Sequence, residues 1–276
     1  MNFSILSEKR LLITGLIFKL VIGTLFASYF LSNLFIPFVS YFVSSLQSPY
    51  SEFYLNNAAE SFPYPALMLY LLSLPIFIAE LFLNLNSLPD QLTYFLFRLP
   101  LLLADIGILV ILSSWLRGKS FKKLIWLYWF SPVLVYISYI HGQLDVIPIF
   151  FLFLSLDYLF KKKILLSGLI FGLALSTKTM VVLSFPFIAL YLISMERNLK
   201  NSCIYLFAAL SIFLVTNAPF ILDPSFQQMV FQNNEQGRIF DLAFEIGNST
   251  FYFIPACLLL LLVRGALISN FNRDIF

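Results

Sequence analysis

Nine apolar runs joined by short polar connections constrain this chain more than any other feature. They fall at about 11–31, 66–83, 96–116, 124–140, 146–160, 164–177, 179–194, 202–222 and 250–263. A helix that crosses the hydrocarbon core takes about 20 apolar residues. Backbone in lipid must pair its own polar groups, which makes each run a helix. Charge is too scarce for a solvated globule: 11% of the 276 residues are charged and 60% are hydrophobic, with mean hydropathy +0.90. A soluble domain carries roughly a quarter charged residues. A soluble enzyme, a nucleic-acid partner and a disordered segment are thereby excluded. The expected fold is all-α, a polytopic transmembrane helix bundle forming a single integral membrane domain over 1–276. Lys9 and Arg10 precede an apolar run too long for a cleaved signal, so the first span reads as an anchor.

The basic residues set the expected topology. Of the 17 Lys and Arg, 13 fall in five clusters: Lys9/Arg10, Arg117/Lys119/Lys122/Lys123, Lys161/Lys162/Lys163, Arg197/Lys200 and Arg264/Arg273. The positive-inside rule places all five on the cytoplasmic face. A full crossing by 66–83 would move every cluster from Arg117 onward to the wrong face. That run is therefore expected to enter and leave externally, as a re-entrant hairpin broken at Pro75 or as a surface-lying helix. The prediction is about eight full spans, both termini cytoplasmic, an external region at 32–95 and a second external loop at 223–249. The apolar stretch 33–43 would lie along the membrane surface. Residues 32–95 carry Glu52, Glu60, Glu80 and Asp90 and no Lys or Arg, so the external face is acidic.

Chemistry must come from the few polar residues at membrane depth. His141-Gly142-Gln143-Leu144-Asp145 joins two apolar runs at the outer boundary. It is either a plain turn with Asp145 capping the next helix, or an acid, amide and imidazole grouped at a water-filled pocket. Lys178, in Ser176-Thr177-Lys178-Thr179, lies at the same depth. It snorkels to water, pairs with Asp145, or meets the phosphate of a lipid. Asp105, with Arg98 two turns earlier, is expected to pair across the bundle. Lys19 is expected to snorkel, and Asp157 to pair with Lys161 at i,i+4. Gly168-x-x-x-Gly172 fits close helix packing. The loop 223–249 either covers an external pocket or is simply solvated. Asn248-Ser249-Thr250 matches a glycosylation sequon abutting a span. Cys203, Cys257 and the single His141 form no metal-ligand spacing. No nucleotide-binding glycine motif occurs. No cofactor is identified; a divalent metal is left open, without support from the sequence.

The order of motifs resembles the type-C integral membrane glycosyltransferases, in the branch near GPI mannosyltransferase I. A basic loop leads to Trp129-Phe130-Ser131-Pro132, then His141-Gly142-Gln143-Leu144-Asp145, Lys161-Lys162-Lys163, Ser167 through Lys178, and Pro186-Phe187. Ser48-Pro49-Tyr50, Phe62-Pro63-Tyr64-Pro65 and Leu103-Ala104-Asp105 add to it. The resemblance spans roughly residues 10–222 and implies an enzyme that takes a hexose of mannose type from a polyprenyl-phosphate carrier. Transfer to a lipid or glycan acceptor would occur on the non-cytoplasmic side. It implies Asp145 as general base and Lys178 as the cation beside the leaving phosphate, with His141 and Gln143 binding substrate. The family usually carries an acidic motif early in the first external loop, where this chain reads Leu31-Ser32-Asn33-Leu34-Phe35. Either Glu52 serves instead, or catalysis rests on Asp145, or activity has been lost. Relatives also usually continue through several more helices.

Two readings follow. One is a membrane glycosyltransferase with a lipid-linked donor. The other is a non-catalytic partner subunit, or lipid-carrier-binding protein, of the same fold. A transporter ranks below both, because the polar residues gather on one face and no inverted repeat is visible.

Overall fold

The computed structural model describes residues 2–83, 89–116, 121–196, 199–247 and 249–271. Arg117, Lys119, Arg197 and Arg273 of the basic clusters, and Asn248 of the sequon, lie outside the described residues.

Helix α1 (Asn2–Leu25) ends at an irregular corner. A π turn (Phe30–Phe35) then runs into α2 (Ile36–Ser45), and this second piece is bent by 65° from the first. Next come α3 (Pro49–Leu55), α4 (Ala66–Glu80) and α5 (Asp90–Trp115). The run 124–140 is two pieces rather than one. α6 (Phe121–Leu124) continues as a π turn to Trp129, and α7 (Pro132–Val135) continues as another to Ile140, with a 41° bend between them. Pro132 lacks the N–H that would continue the first piece. The Ser131 hydroxyl caps the second by accepting from the Leu134 N–H. Then follow α8 (Val146–Phe160), α9 (Ile164–Thr177), a 3₁₀ turn (Thr179–Ser184), α10 (Phe185–Glu196) and α11 (Leu199–Asn217). α12 (Pro224–Phe231) and α13 (Asn234–Gly237) lead into the last helix, α14 (Phe253–Phe271), through an antiparallel hairpin. Its strands are β1 (Ala243–Ile246) and β2 (Ser249–Tyr252), with Ala243 opposite Tyr252.

The fold is all-α as expected, with this one short hairpin beside the helices. Residues 250–252 belong to β2 instead of opening the last apolar helix, because Phe251 and Tyr252 suit a strand and Gly247, at φ +64°, permits the turn. Pro75 does not split α4, which runs through it to Glu80, so the broken hairpin does not form. Among the described residues, α5 and α11 have the length and apolarity of a crossing helix, and each bent pair adds one more candidate. α4, α8, α9, α10 and α14 are apolar but shorter.

Side-chain contacts fix how the helices run. Lys19 meets Asp105, and Arg98 donates to the Gly23 carbonyl, so α1 and α5 are antiparallel. Gly107 lies against Phe150 and Trp115 donates to Asp157, so α5 and α8 are parallel. α9 and α11 are also parallel. A Cβ on Gly168 would stand 2.6 Å from the Tyr205 carbonyl oxygen, and one on Gly172 2.5 Å from that of Ala209. These glycines bring two backbones into contact, as small residues do in membrane helix pairs. The Ser155 hydroxyl donates to the Ser167 carbonyl (2.9 Å) and lies 3.0 Å from the Tyr205 hydroxyl, closing the α8–α9–α11 interface.

These directions give the bundle two unlike ends. Lys122, Lys123, Lys161, Lys162, Lys163 and Lys200 gather at one end. The other holds the α1 corner, the start of α5, His141–Asp145, Lys178 and the end of α11. Asn217, at the end of α11, accepts from the Ala66 N–H at 2.9 Å, so α4 also begins there. The largest hydrophobic cluster supports this second end, with Phe38 stacked on Phe62 at 4.6 Å and Tyr50 packed edge-on against Phe226.

Candidate functional site

A cavity of about 490 Å³ opens at this second end. His141, Gln143 and Lys178 line it, three of the five residues singled out from sequence. Local backbone explains how each arrives. The π turn Tyr136–Ile140 ends with the His141 N–H donating to the Tyr136 carbonyl at 2.7 Å. Gly142 then turns at φ +84°, where a Cβ would also stand 3.2 Å from the Ser28 hydroxyl. Only glycine suits that position. The Ser28 hydroxyl donates to the His141 carbonyl and pins the turn to the α1 corner. The His141 ring stacks on Phe30 with centroids 5.4 Å apart.

Lys178 stands where α9 stops. Its backbone is extended (φ −155°, ψ 118°), which ends the helix and starts the 3₁₀ turn. Its ammonium donates to the Asp145 carboxylate. Both side chains are about one-third exposed, at 31% and 33%. Asp145 makes no capping hydrogen bond to α8, so the ion pair, not the cap, is its role in the fold. It reaches the cavity through Lys178.

Glu52 is not brought to the cavity. It sits on α3 and accepts from its own neighbour Asn56 at 2.9 Å. The first-loop carboxylate that does line the cavity is Glu60, which accepts from Asn234 at 3.2 Å. The sequence marked Glu60 as an acid of that loop but gave no reason to prefer it. The second loop supplies the facing wall, with Asn233, Asn234, Gln236 and Arg238. Gln236 is anchored to Thr179 at 2.7 Å, beside Lys178. This loop is held by Asp223, which caps α12 through the Ser225 N–H (2.9 Å) and accepts from Ser51 at 2.6 Å on α3. Burial alone would raise the Asp223 pKa, but hydrogen bonds from Ser51, Ser225 and Ser48 hold it below the usual carboxylate value. Among the described residues, no three His, Cys, Asp or Glu side chains converge to hold a metal ion.

The polar residues outside the cavity separate from it cleanly. Lys19 does not snorkel: it is fully buried and donates to Asp105 at 2.6 Å. The lipid boundary is closed to it because Trp129 covers the ammonium, 3.6 Å from the ring centroid. Asp105 also accepts from Tyr128 (2.8 Å) and Tyr139 (2.7 Å). Asp157 pairs with Lys161 at 2.5 Å, at the opposite end.

An apolar helical bundle with one basic end, and a cavity at the other end that carries amides, an imidazole and a lysine–carboxylate pair, defines an integral membrane protein with a polar binding site. The chain belongs to glycosyltransferase family 87, whose family model matches residues 74–269. It is thus a membrane glycosyltransferase, with a sugar donor and an acceptor as its substrates. No curated protein and no solved structure matches it. The match spans His141 through Lys178 and the second loop, but not α1 to α3.

Proposed function

We propose that this chain transfers a hexose of mannose type from a polyprenyl-phosphate carrier to a hydroxyl of a lipid or glycan acceptor, on the non-cytoplasmic face. The observation that carries the reading is the Lys178–Asp145 pair at the wall of the cavity. In the reaction the bond from the sugar C1 to the phosphate oxygen breaks, and its electrons leave with the carrier phosphate. Lys178 stabilises that charge. The acceptor oxygen bonds to C1 and loses its proton to a carboxylate. Asp145 fills that role once the donor phosphate has drawn Lys178 away from it, and Glu60, rather than Glu52, is the first-loop acid within reach. His141 and Gln143 orient the sugar. The gathering of basic residues at the far end supports about eight spans with both termini cytoplasmic. The return of the chain from α4 to the end where α1 stops supports the external placement of 32–95.

The test offers the purified full chain a polyprenyl-phosphate hexose and, separately, a nucleotide hexose, each with candidate acceptors. Product from the lipid-linked donor alone is expected. Product from the nucleotide sugar would refute the donor assignment. The carboxylate-free stretch Leu31–Phe35 favours the second reading, a non-catalytic partner; turnover by the chain alone rejects it.

A further inference from the structure

The second-loop wall of the cavity carries amides whose bonds are already committed. Gln236 donates from its side-chain nitrogen to the Thr179 hydroxyl at 2.7 Å and to the Val230 carbonyl at 2.9 Å. Its own N–H meets the Asn233 side-chain oxygen at 3.2 Å, and Asn233 donates in turn to the Met229 carbonyl at 2.6 Å. Met229 and Val230 lie in the last turn of α12, where helix carbonyls need partners from outside the helix. Both residues are fully buried, with Phe226, in the largest hydrophobic cluster. Gln236 is therefore clamped to a packed helix, and Asp223 ties that helix to Ser51 on α3.

The far end of the clamp is Thr179, the residue after Lys178. Here the chain passes from α9 to α10 through the 3₁₀ turn Thr179–Ser184, none of whose residues is buried. Hydrogen bonds in a 3₁₀ turn have poorer geometry than those of an α-helix. Lys178 itself is held locally by its N–H to the Ala174 carbonyl (3.1 Å) and its carbonyl to the Val181 N–H (3.2 Å). Its ammonium is a point charge on a flexible stem, so where the backbone stands decides what the charge can reach. Gln236 grips this turn from the second loop. An anion is bound by hydrogen-bond donors. Those of the Gln236 side chain are both spent, and Thr179 does not line the cavity. Neither is placed to bind a phosphate itself. Both are placed to set where Lys178 stands.

We propose that Gln236 is a positioning residue: through Thr179 it holds Lys178 where the lysine meets a phosphate, a role that rests on the reading of Lys178 given above. The second loop and the lysine then act as one unit. The coupling is reciprocal, so a phosphate bound at Lys178 steadies the second loop in turn.

The experiment uses the full chain in a maltoside detergent and undecaprenyl phosphate, a carrier without its sugar. Binding is followed by equilibrium titration, so no turnover is needed. Lys178→Gln is expected to weaken binding. Thr179→Val, which keeps the shape and removes the hydroxyl, should weaken it by about 5- to 10-fold, and Thr179→Ser should restore it. Gln236→Met should lose as much as Thr179→Val, and the double variant no more than either, because both act through one bond. Should Thr179→Val fail to fold, Gln236→Met carries the test alone. The proposal is overturned, with the reading of Lys178 intact, if Lys178→Gln loses binding while Thr179→Val or Gln236→Met binds like the wild type. It is also overturned if Thr179→Ser fails to restore binding or if the two losses add. A wild type that does not bind, or Lys178→Gln that binds as the wild type does, defeats the reading of Lys178 and this inference with it.

Discussion

Two lysine–aspartate pairs stand in this molecule, and their surroundings make them different objects. Lys19–Asp105 is fully buried, and the carboxylate accepts from Lys19, Tyr128 and Tyr139. The ammonium is covered by Trp129. This pair specifies how α1, α5 and the 121–140 segment meet. Lys178–Asp145 is one-third exposed and joined by a single contact at the wall of a polar cavity. An ammonium has three donors, which leaves Lys178 able to take a phosphate oxygen. The same two residue types therefore build a buried lock in one place and an open, polar pair in the other. Burial and the number of satisfied bonds decide which.

Mutation of the two pairs should break this symmetry in opposite directions. Asp105→Leu leaves Lys19 buried without a counter-charge, at a cost of about 3–5 kcal/mol. Loss of folded protein in size-exclusion profiles, or a collapse of the unfolding midpoint, is the expected readout. Gly172→Ala calibrates a lesion that is structural alone. Its Cβ would stand 2.5 Å from the Ala209 carbonyl oxygen, and overpacking of this kind costs about 1–3 kcal/mol. Thermal unfolding should place it between the two pairs, with any loss of transfer tracking loss of fold. Asp145→Asn should cost under about 1 kcal/mol in stability, because an ion pair this exposed contributes little.

The smallest effect concerns Asp223, which anchors the second loop. Its folded pKa lies below the usual value, so its contribution is complete above the unfolded carboxylate value of about 3.9. It is lost as pH falls further, through the folded value. Opening of α12, read as hydrogen exchange relative to the intrinsic amide rate at each pH, should therefore be flat from neutral pH down to about 4 and rise below it. In Asp223→Asn that rise should disappear.

Much of this was legible in the sequence because lipid allows so few solutions. The apolar runs become helices, the Asp157–Lys161 spacing becomes an ion pair, and Gly168 and Gly172 mark a close backbone contact between α9 and α11. His141, Gln143 and Lys178 reach one cavity, and Asp145 meets Lys178. What stayed hidden depends on three-dimensional neighbours. Lys19 looks like a snorkelling lysine until Asp105, 86 positions away, is brought to it by antiparallel helices. Glu52 and Glu60 look equivalent along the chain. The turn after α3 puts the second at the cavity, while the first stays beside Asn56. The hairpin before α14 was masked by aromatics that suit a strand and a membrane helix alike.

The most direct test is turnover by Asp145→Asn, measured on protein shown to be folded, with a polyprenyl-phosphate hexose as donor. Transfer is expected to fall by about 10²- to 10⁴-fold, while the unfolding midpoint stays near that of the wild type. Transfer at the wild-type rate by this variant would contradict the assignment of the Lys178–Asp145 pair to the reaction.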